Sequence, residues 1–217
     1  MNYLIVIPAY NEEKYIKTLL NNLSGITKNI VIIDDGSRDN TYEIVKEMNI
    51  PVIHQPHQGK GAALKTGFKY ALEREYEWVI TMDGDGQHGW QDIPCFVEAM
   101  SKGKSDIIIG SRMDDIAGMP LVRKVTNKFM SRLLSWLIGS SISDTQCGFR
   151  AITSGVLKNV TLETSHYDTE SELIMKAGRA GYNISSIPVK TIYNGSESHI
   201  NKFLDTVRFI RLLWKTL

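Results

Sequence analysis

Apolar residues in the first half of the chain come in short runs, each ended by a polar or glycine-rich stretch. Tyr3–Pro8, Asn29–Ile33 and Val79–Met82 show little alternation, the pattern of strands covered on both faces of a parallel sheet. Pro51–His54 and Asp106–Ser111 read as two further strands. Between the runs, apolar positions recur at helical spacing. One helix is expected to end near Ser24, capped by Asn11 with Glu12 and Glu13 in its first turn. A second starts at Asp39 or Asn40 and runs to about Met48. A third runs from Gly59-Lys60-Gly61 to about Glu75, with Leu64, Phe68, Ala71 and Leu72 on one stripe. A fourth spans Trp90–Lys102. Strand–helix alternation predicts an α/β domain, a mostly parallel Rossmann-like sheet with helices on both faces. Ligands in such sheets bind beyond the carboxyl ends of the strands, so Pro8-Ala9-Tyr10, Asp34-Asp35 and Asp83–Asp85 should share one rim.

The second half reads differently. From Ile116 to Ser143 there is no acidic residue, while Arg123, Lys124, Lys128 and Arg132 are present. Leu121, Val125, Phe129, Leu133 and Leu137 recur there at helical spacing, giving a basic amphipathic helix that can lie on a membrane or pack on the sheet. Asp144–Arg150 is a loop leading into a strand, Thr169–Gly181 a helix and Asn183–Val189 a strand. Ile200–Leu217 is a second basic amphipathic helix, with Phe203 and Trp214 on its apolar stripe. Membrane anchoring and packing on protein are both open to it. The expected organisation is one domain over residues 1–199 and a helical appendage over 200–217.

Composition narrows the function classes. The 217 residues are 42% hydrophobic and 23% charged, with formal net charge +1, enough for a sizeable core and too balanced for a strongly basic nucleic-acid binder. Cys95 and Cys147 lack a CxxC pattern and read as free thiols of a reducing compartment. No secretory n-region is evident, and no apolar run approaches the ~20 residues of a spanning helix. A cytoplasmic protein, soluble or peripheral at the inner membrane face, is expected.

The chemistry concentrates in Asp83-Gly84-Asp85-Gly86-Gln87-His88, directly after an apolar strand. Two carboxylates two residues apart can face one side of an extended segment, and the glycines let the backbone approach a ligand. Such a loop suits a hard cation that keeps positions open for water and substrate phosphates. A surface turn has the same composition. GxxxxGK[ST], GxGxxG, GxSxG and HExxH are all absent, and His54, His57, His166 and His199 show no zinc spacing.

VIPAYNEE, IDDGSRDNT, GKGAALKTG, MDGDGQH, GSR and DTQCGFR, in this order, resemble glycosyltransferase family 2. Within it they are similar to the dolichyl- or polyprenyl-phosphate sugar synthases. The resemblance spans Tyr3 to about Val189 and implies a GT-A fold, a nucleotide-diphosphate-sugar donor, Mg²⁺ or Mn²⁺ and inversion at the anomeric carbon. It places the metal at Asp85, with Asp83 and Gln87 close by, and the base and ribose pocket at Pro8, Tyr10, Glu12 and Asp35. Arg112 and Arg123 match positions that hold an acceptor phosphate. Asp144 is a candidate base, or else holds the DTQCGFR loop. Some relatives carry an acid before the Phe-Arg pair, where this chain has Gly148. The expected function is transfer of a hexose to a polyprenyl phosphate, with membrane contact through amphipathic helices or a partner protein. A saccharide acceptor, or a catalytically silent nucleotide-sugar-binding subunit, is the alternative.

Overall fold

The computed structural model describes residues 1–113, 121–139, 142–166, 168–190 and 192; within these the side chains of 121–126 and 129 are outside the description. The helix expected over Ile200–Leu217, and with it the boundary at residue 199, lies outside the described residues.

The elements follow the expected order: β1 (Tyr3–Ala9), α1 (Ile16–Ser24), β2 (Ile30–Asp34), α2 (Thr41–Glu47), β3 (Val52–His54), α3 (Lys60–Glu73) and β4 (Trp78–Thr81). A 3₁₀ turn (Trp90–Asp92) precedes α4 (Ile93–Ser101) and β5 (Ile107–Ser111). Then come α5 (Leu121–Ile138), β6 (Arg150–Thr153), α6 (Ser154–Asn159), α7 (Asp168–Arg179) and β7 (Ile184–Pro188). The seven strands form one sheet in the order β3-β2-β1-β4-β6-β5-β7. Crossovers from β1 to β2 to β3 run one way, and the chain then returns past both to β4. Right-handed crossovers in opposite directions put α1 and α2 on one face and α3 on the other. The switch point, where ligands bind in such sheets, lies between β1 and β4. The core is continuous: Leu4–Ile7, Ile30–Ile33, Val79, Ile80 and Ile107–Ile109 are buried together with Leu20, Leu23, Phe68 and Phe96.

Register aligns the strand ends. Ala9 is level with Asp34, and Asp34 with His54. β6 is antiparallel to both its neighbours, β4 and β5. Its first residue, Arg150, pairs with Thr81 at the end of β4. An antiparallel strand begins where its parallel-running neighbour stops, so the loop before β6 is delivered to the same rim as the acidic loop after β4.

Two local expectations are corrected. Asn11 does not cap α1, which starts at Ile16. Asn11 sits at φ 58°, donates its N–H to Ser37 and accepts from the Arg38 N–H, so it ties the β1 loop to the β2 loop. Glu12 and Glu13 therefore precede the helix, where the Glu12 carbonyl receives the Tyr15 and Ile16 N–H groups. The helix expected over Trp90–Lys102 divides, because Pro94 has no N–H and fits only the first turn of a fresh helix.

Candidate active site

The acidic loop lies at the rim where β4 ends. Asp85 Oδ1 accepts the Gln87 N–H at 2.9 Å, which folds the loop back on itself. Burial, then the neighbouring Asp83 charge, pushes the Asp85 carboxyl above its ordinary value. Asp83 is engaged differently. Its Oδ1 ion-pairs Lys60 Nζ, which also lies 3.1 Å from Glu170 Oε2, and its N–H donates to His88 Nδ1 at 3.1 Å. Burial alone would raise the Asp83 carboxyl, but the charge of Lys60 outweighs it and holds the group below the usual range. His88 is buried and stacked on Phe149, and burial lowers its pKa, consistent with a neutral ring accepting at Nδ1.

These oxygens fit a hard divalent cation. Asp85, Asp83 and Gln87 share one loop, and all offer oxygen donors. Glu12 from β1's loop adds to the negative field: burial, and then Asp85 and Asp83, push its carboxyl up to about 8. Among the described residues no three His, Cys, Asp or Glu side chains converge as a closed cage.

The residues expected to bind the nucleotide lie along the same rim. Tyr10 stacks on His57 at 4.1 Å between ring centroids. Asp35 is filled from within the protein: it accepts from Gln55 Nε2 at 2.7 Å and from the N–H groups of Gln58 and Gly59 at 3.1 and 2.8 Å, and His57 Nδ1 lies 2.9 Å away. A carboxylate offers about four acceptor sites, so Asp35 is occupied in holding residues 55–59. Gly59 is needed there. Its φ is +98°, and a Cβ would lie 2.3 Å from His166 Nδ1.

The cationic side of the rim is Arg112, just past β5. Its Nε and an Nη donate to Asp144 at 2.7 and 3.0 Å, and both side chains are buried. Asp144 also accepts from Asn127 Nδ2 at 2.7 Å and from the Gln146 N–H at 3.1 Å. Burial would raise the Asp144 carboxyl, but the fork of Arg112 outweighs it and the pKa falls. The Arg123 side chain lies outside the described residues. Gly148 faces the acidic loop so closely that a Cβ would be 2.7 Å from Asp83 Oδ2 and 2.9 Å from Lys60 Nζ. Arg150 is fully buried and donates to the carbonyls of Cys147, Thr145 and Glu170, which pins this loop to the start of α7.

The strand pattern put Pro8, Tyr10, Asp35, Asp83 and Asp85 on one rim, and the register agrees; Glu12, Gln87, Arg112 and Asp144, singled out by the family resemblance, lie beside them. The sequence left Lys60, His88, Asn127, Arg150 and Glu170 without roles. Lys60 carried a signal, a cation between two glycines at a helix start. Glu170 carried none.

The chain matches glycosyl transferase family 2 over residues 4–161. It is 36% identical to a UDP-N-acetylglucosamine–dolichyl-phosphate N-acetylglucosaminyltransferase of Methanococcus voltae, covering 87% of this chain and 85% of the relative. It is 30% identical to a dolichyl-phosphate hexose transferase of Haloferax volcanii, covering 92% and 86%. Its fold superposes on glucosyl-3-phosphoglycerate synthase of Mycobacterium tuberculosis, crystallised with Mn²⁺, UDP-glucose and phosphoglyceric acid, with TM-score 0.75 at 18% identity over 99% of this chain and 79% of that one. Six motifs in order, a GT-A sheet with its acidic loop at the switch point, and these matches together make the chain a member of glycosyl transferase family 2.

Proposed function

We propose that this chain is a metal-dependent inverting glycosyltransferase that moves a hexose-type sugar from a nucleotide-diphosphate donor to a polyprenyl phosphate at the cytoplasmic face of a membrane. The observation that carries the acceptor assignment is the state of Asp144. Its carboxylate is buried, spanned by the Arg112 fork and lowered in pKa, so it is a poor proton acceptor. Gly148 supplies no base either, and the room there is taken by Asp83 and Lys60. A hydroxyl acceptor needs a base in the transition state. A phosphate monoester does not, because with a second pKa of about 6 it is already anionic near neutral pH. It needs a cation to draw it in, and Arg112 is a buried cation near the acidic loop. The relatives named as dolichyl-phosphate sugar transferases support the same reading.

Pro8, Tyr10 and Glu12 bind the nucleotide, and Asp35 acts one step back by fixing the loop that carries His57. Asp85 would hold Mg²⁺ or Mn²⁺ with Gln87 and Asp83 beside it, and such an ion would supply positive charge against the departing diphosphate. Lys60 restrains Asp83 and brings a second cation to the same place. Arg112, with Arg123, orients the acceptor phosphate for attack from the face opposite the leaving group. Asp144 and Asn127 hold Arg112 in position.

The test incubates the chain with labelled UDP-N-acetylglucosamine, UDP-glucose or GDP-mannose, Mn²⁺ or Mg²⁺, and either a polyprenyl phosphate or a free saccharide. Label appearing in the polyprenyl phosphate, and only with metal, is expected. Transfer to the saccharide alone overturns the acceptor assignment. Donor binding without transfer or hydrolysis identifies a silent nucleotide-sugar-binding subunit.

A further inference from the structure

Lys60 lies between two carboxylates from distant parts of the chain. It opens α3, and its Nζ ion-pairs Asp83 Oδ1 of the acidic loop and lies 3.1 Å from Glu170 Oε2 of α7. The three side chains are mostly out of water, with Lys60 16%, Asp83 28% and Glu170 11% exposed. The backbone of Gly148 closes in on the same ammonium, since a Cβ there would be 2.9 Å from Nζ. The second oxygen of Glu170 is engaged differently. Oε1 is buried, accepts no hydrogen bond among the described residues and lies 4.0 Å from an Arg150 Nη. Arg150 donates instead to the carbonyls of Cys147, Thr145 and Glu170. Two cations and two carboxylates thus balance in one cluster, and Glu170 stands between Lys60 and Arg150.

Lys60 and a divalent cation at the acidic loop would compete for Asp83, as like charges drawn to one carboxylate. A lysine displaced from a largely buried pair is costly unless another acceptor receives it. Glu170 is that acceptor: one oxygen already touches Nζ, and the other has no hydrogen bond to give up. We propose that Glu170 is a positioning residue of the metal site, taking over Lys60 when a divalent cation takes Asp83. Glu170 acts through Lys60 alone. Without its charge, Lys60 closes on Asp83, and the cation must break that pair to enter. This rests on the reading of the acidic loop as the site of Mg²⁺ or Mn²⁺, and it adds a residue on another helix that decides how readily the loop is filled.

The experiment titrates Mn²⁺ into the full chain with UDP present and follows the free ion by paramagnetic resonance. Glu170→Gln should weaken Mn²⁺ binding about tenfold, within the span that coupled neighbours show, and should leave UDP affinity without metal unchanged. Lys60→Met removes the competitor and should bind Mn²⁺ at least as tightly as the unaltered chain. Adding Glu170→Gln to Lys60→Met should then change the affinity about twofold or less, as for uncoupled sites. The proposal is overturned if Glu170→Gln binds Mn²⁺ as the unaltered chain does, or if Lys60→Met binds it more weakly. It is also overturned if Glu170→Gln is equally damaging in both backgrounds, since Glu170 then acts through Arg150 or through its charge alone. Asp85→Ala separates the two readings. Mn²⁺ binding that is lost in Asp85→Ala but unmoved by Glu170→Gln removes the role of Glu170 and leaves the metal site. Binding that survives Asp85→Ala, or is absent from the unaltered chain, removes both.

Discussion

Asp144→Asn isolates the physics of the cationic rim. The carboxylate is 0% exposed and takes hydrogen bonds from Arg112 Nε and Nη, the Arg112 N–H, Asn127 Nδ2 and the Gln146 N–H. Asparagine keeps the shape but removes the charge, and it turns one acceptor oxygen into a donor that faces other donors. Arg112, 6% exposed, is left as an uncompensated buried cation. Breaking one side of a buried pair costs about 3–5 kcal/mol. With a urea m-value of about 3 kcal/mol/M, the unfolding midpoint should fall by roughly 1–1.7 M. Removing both charges, as in Arg112→Met/Asp144→Leu, should recover much of that loss, because an apolar pair of similar volume avoids the desolvation. The pH dependence has a definite sign. The folded pKa of Asp144 is depressed, so its stabilisation is present above the unfolded value of about 4 and is lost as pH falls through the lower folded value. Asp144→Asn should lose less stability than the unaltered chain across that acid window. A midpoint shift below about 0.3 M, or an identical acid loss in the variant, refutes the pairing as the source of the effect. An acidic limb of the pH–rate profile that vanishes in Asp144→Asn while stability is retained refutes the positioning role and restores Asp144 as a base.

Asp85→Ala should abolish metal-dependent turnover and leave the melting temperature within a degree or two of the unaltered chain, because the loop contributes little to the core; undiminished metal-dependent activity would remove Asp85 from the site. Arg112→Lys, which keeps the charge but loses the fork, should raise the KM for polyprenyl phosphate at least tenfold with donor affinity unchanged, and Arg123→Ala should do the same; isothermal titration with the donor nucleotide and acceptor kinetics read the two effects separately. Gly148→Ala places a methyl 2.7–2.9 Å from the Asp83 carboxylate and Lys60, so the pair must part. A stability cost of about 1–3 kcal/mol and a tenfold or greater loss of rate are expected. Urea melts and single-turnover assays check both, and a variant of normal rate would show that the Asp83–Lys60 spacing is immaterial.

Local chemistry was enough to place much of this protein. The apolar runs of β1, β2 and β4 and their polar ends follow from the need to bury both faces of a parallel sheet, and that pattern alone puts Ala9, Asp34 and Asp83 on one rim. The glycines and paired acids of the loop after β4 marked a candidate ligand site, because few residue types let backbone and carboxylates approach a cation together. Contacts between distant segments were invisible in the same sequence. Nothing local marks β6 as the antiparallel strand between β4 and β5, since strand order depends on which apolar faces meet in three dimensions. Yet that insertion brings Gly148 against Asp83 and Asp144 against Arg112. Tertiary packing alone decided that Asp35 is saturated by the 55–59 loop and that Asp144 is an ion-pair partner of Arg112. It also placed Glu170 of α7 within reach of Lys60. A carboxylate's role is set by the donors around it, and those donors come from parts of the chain that only folding brings together.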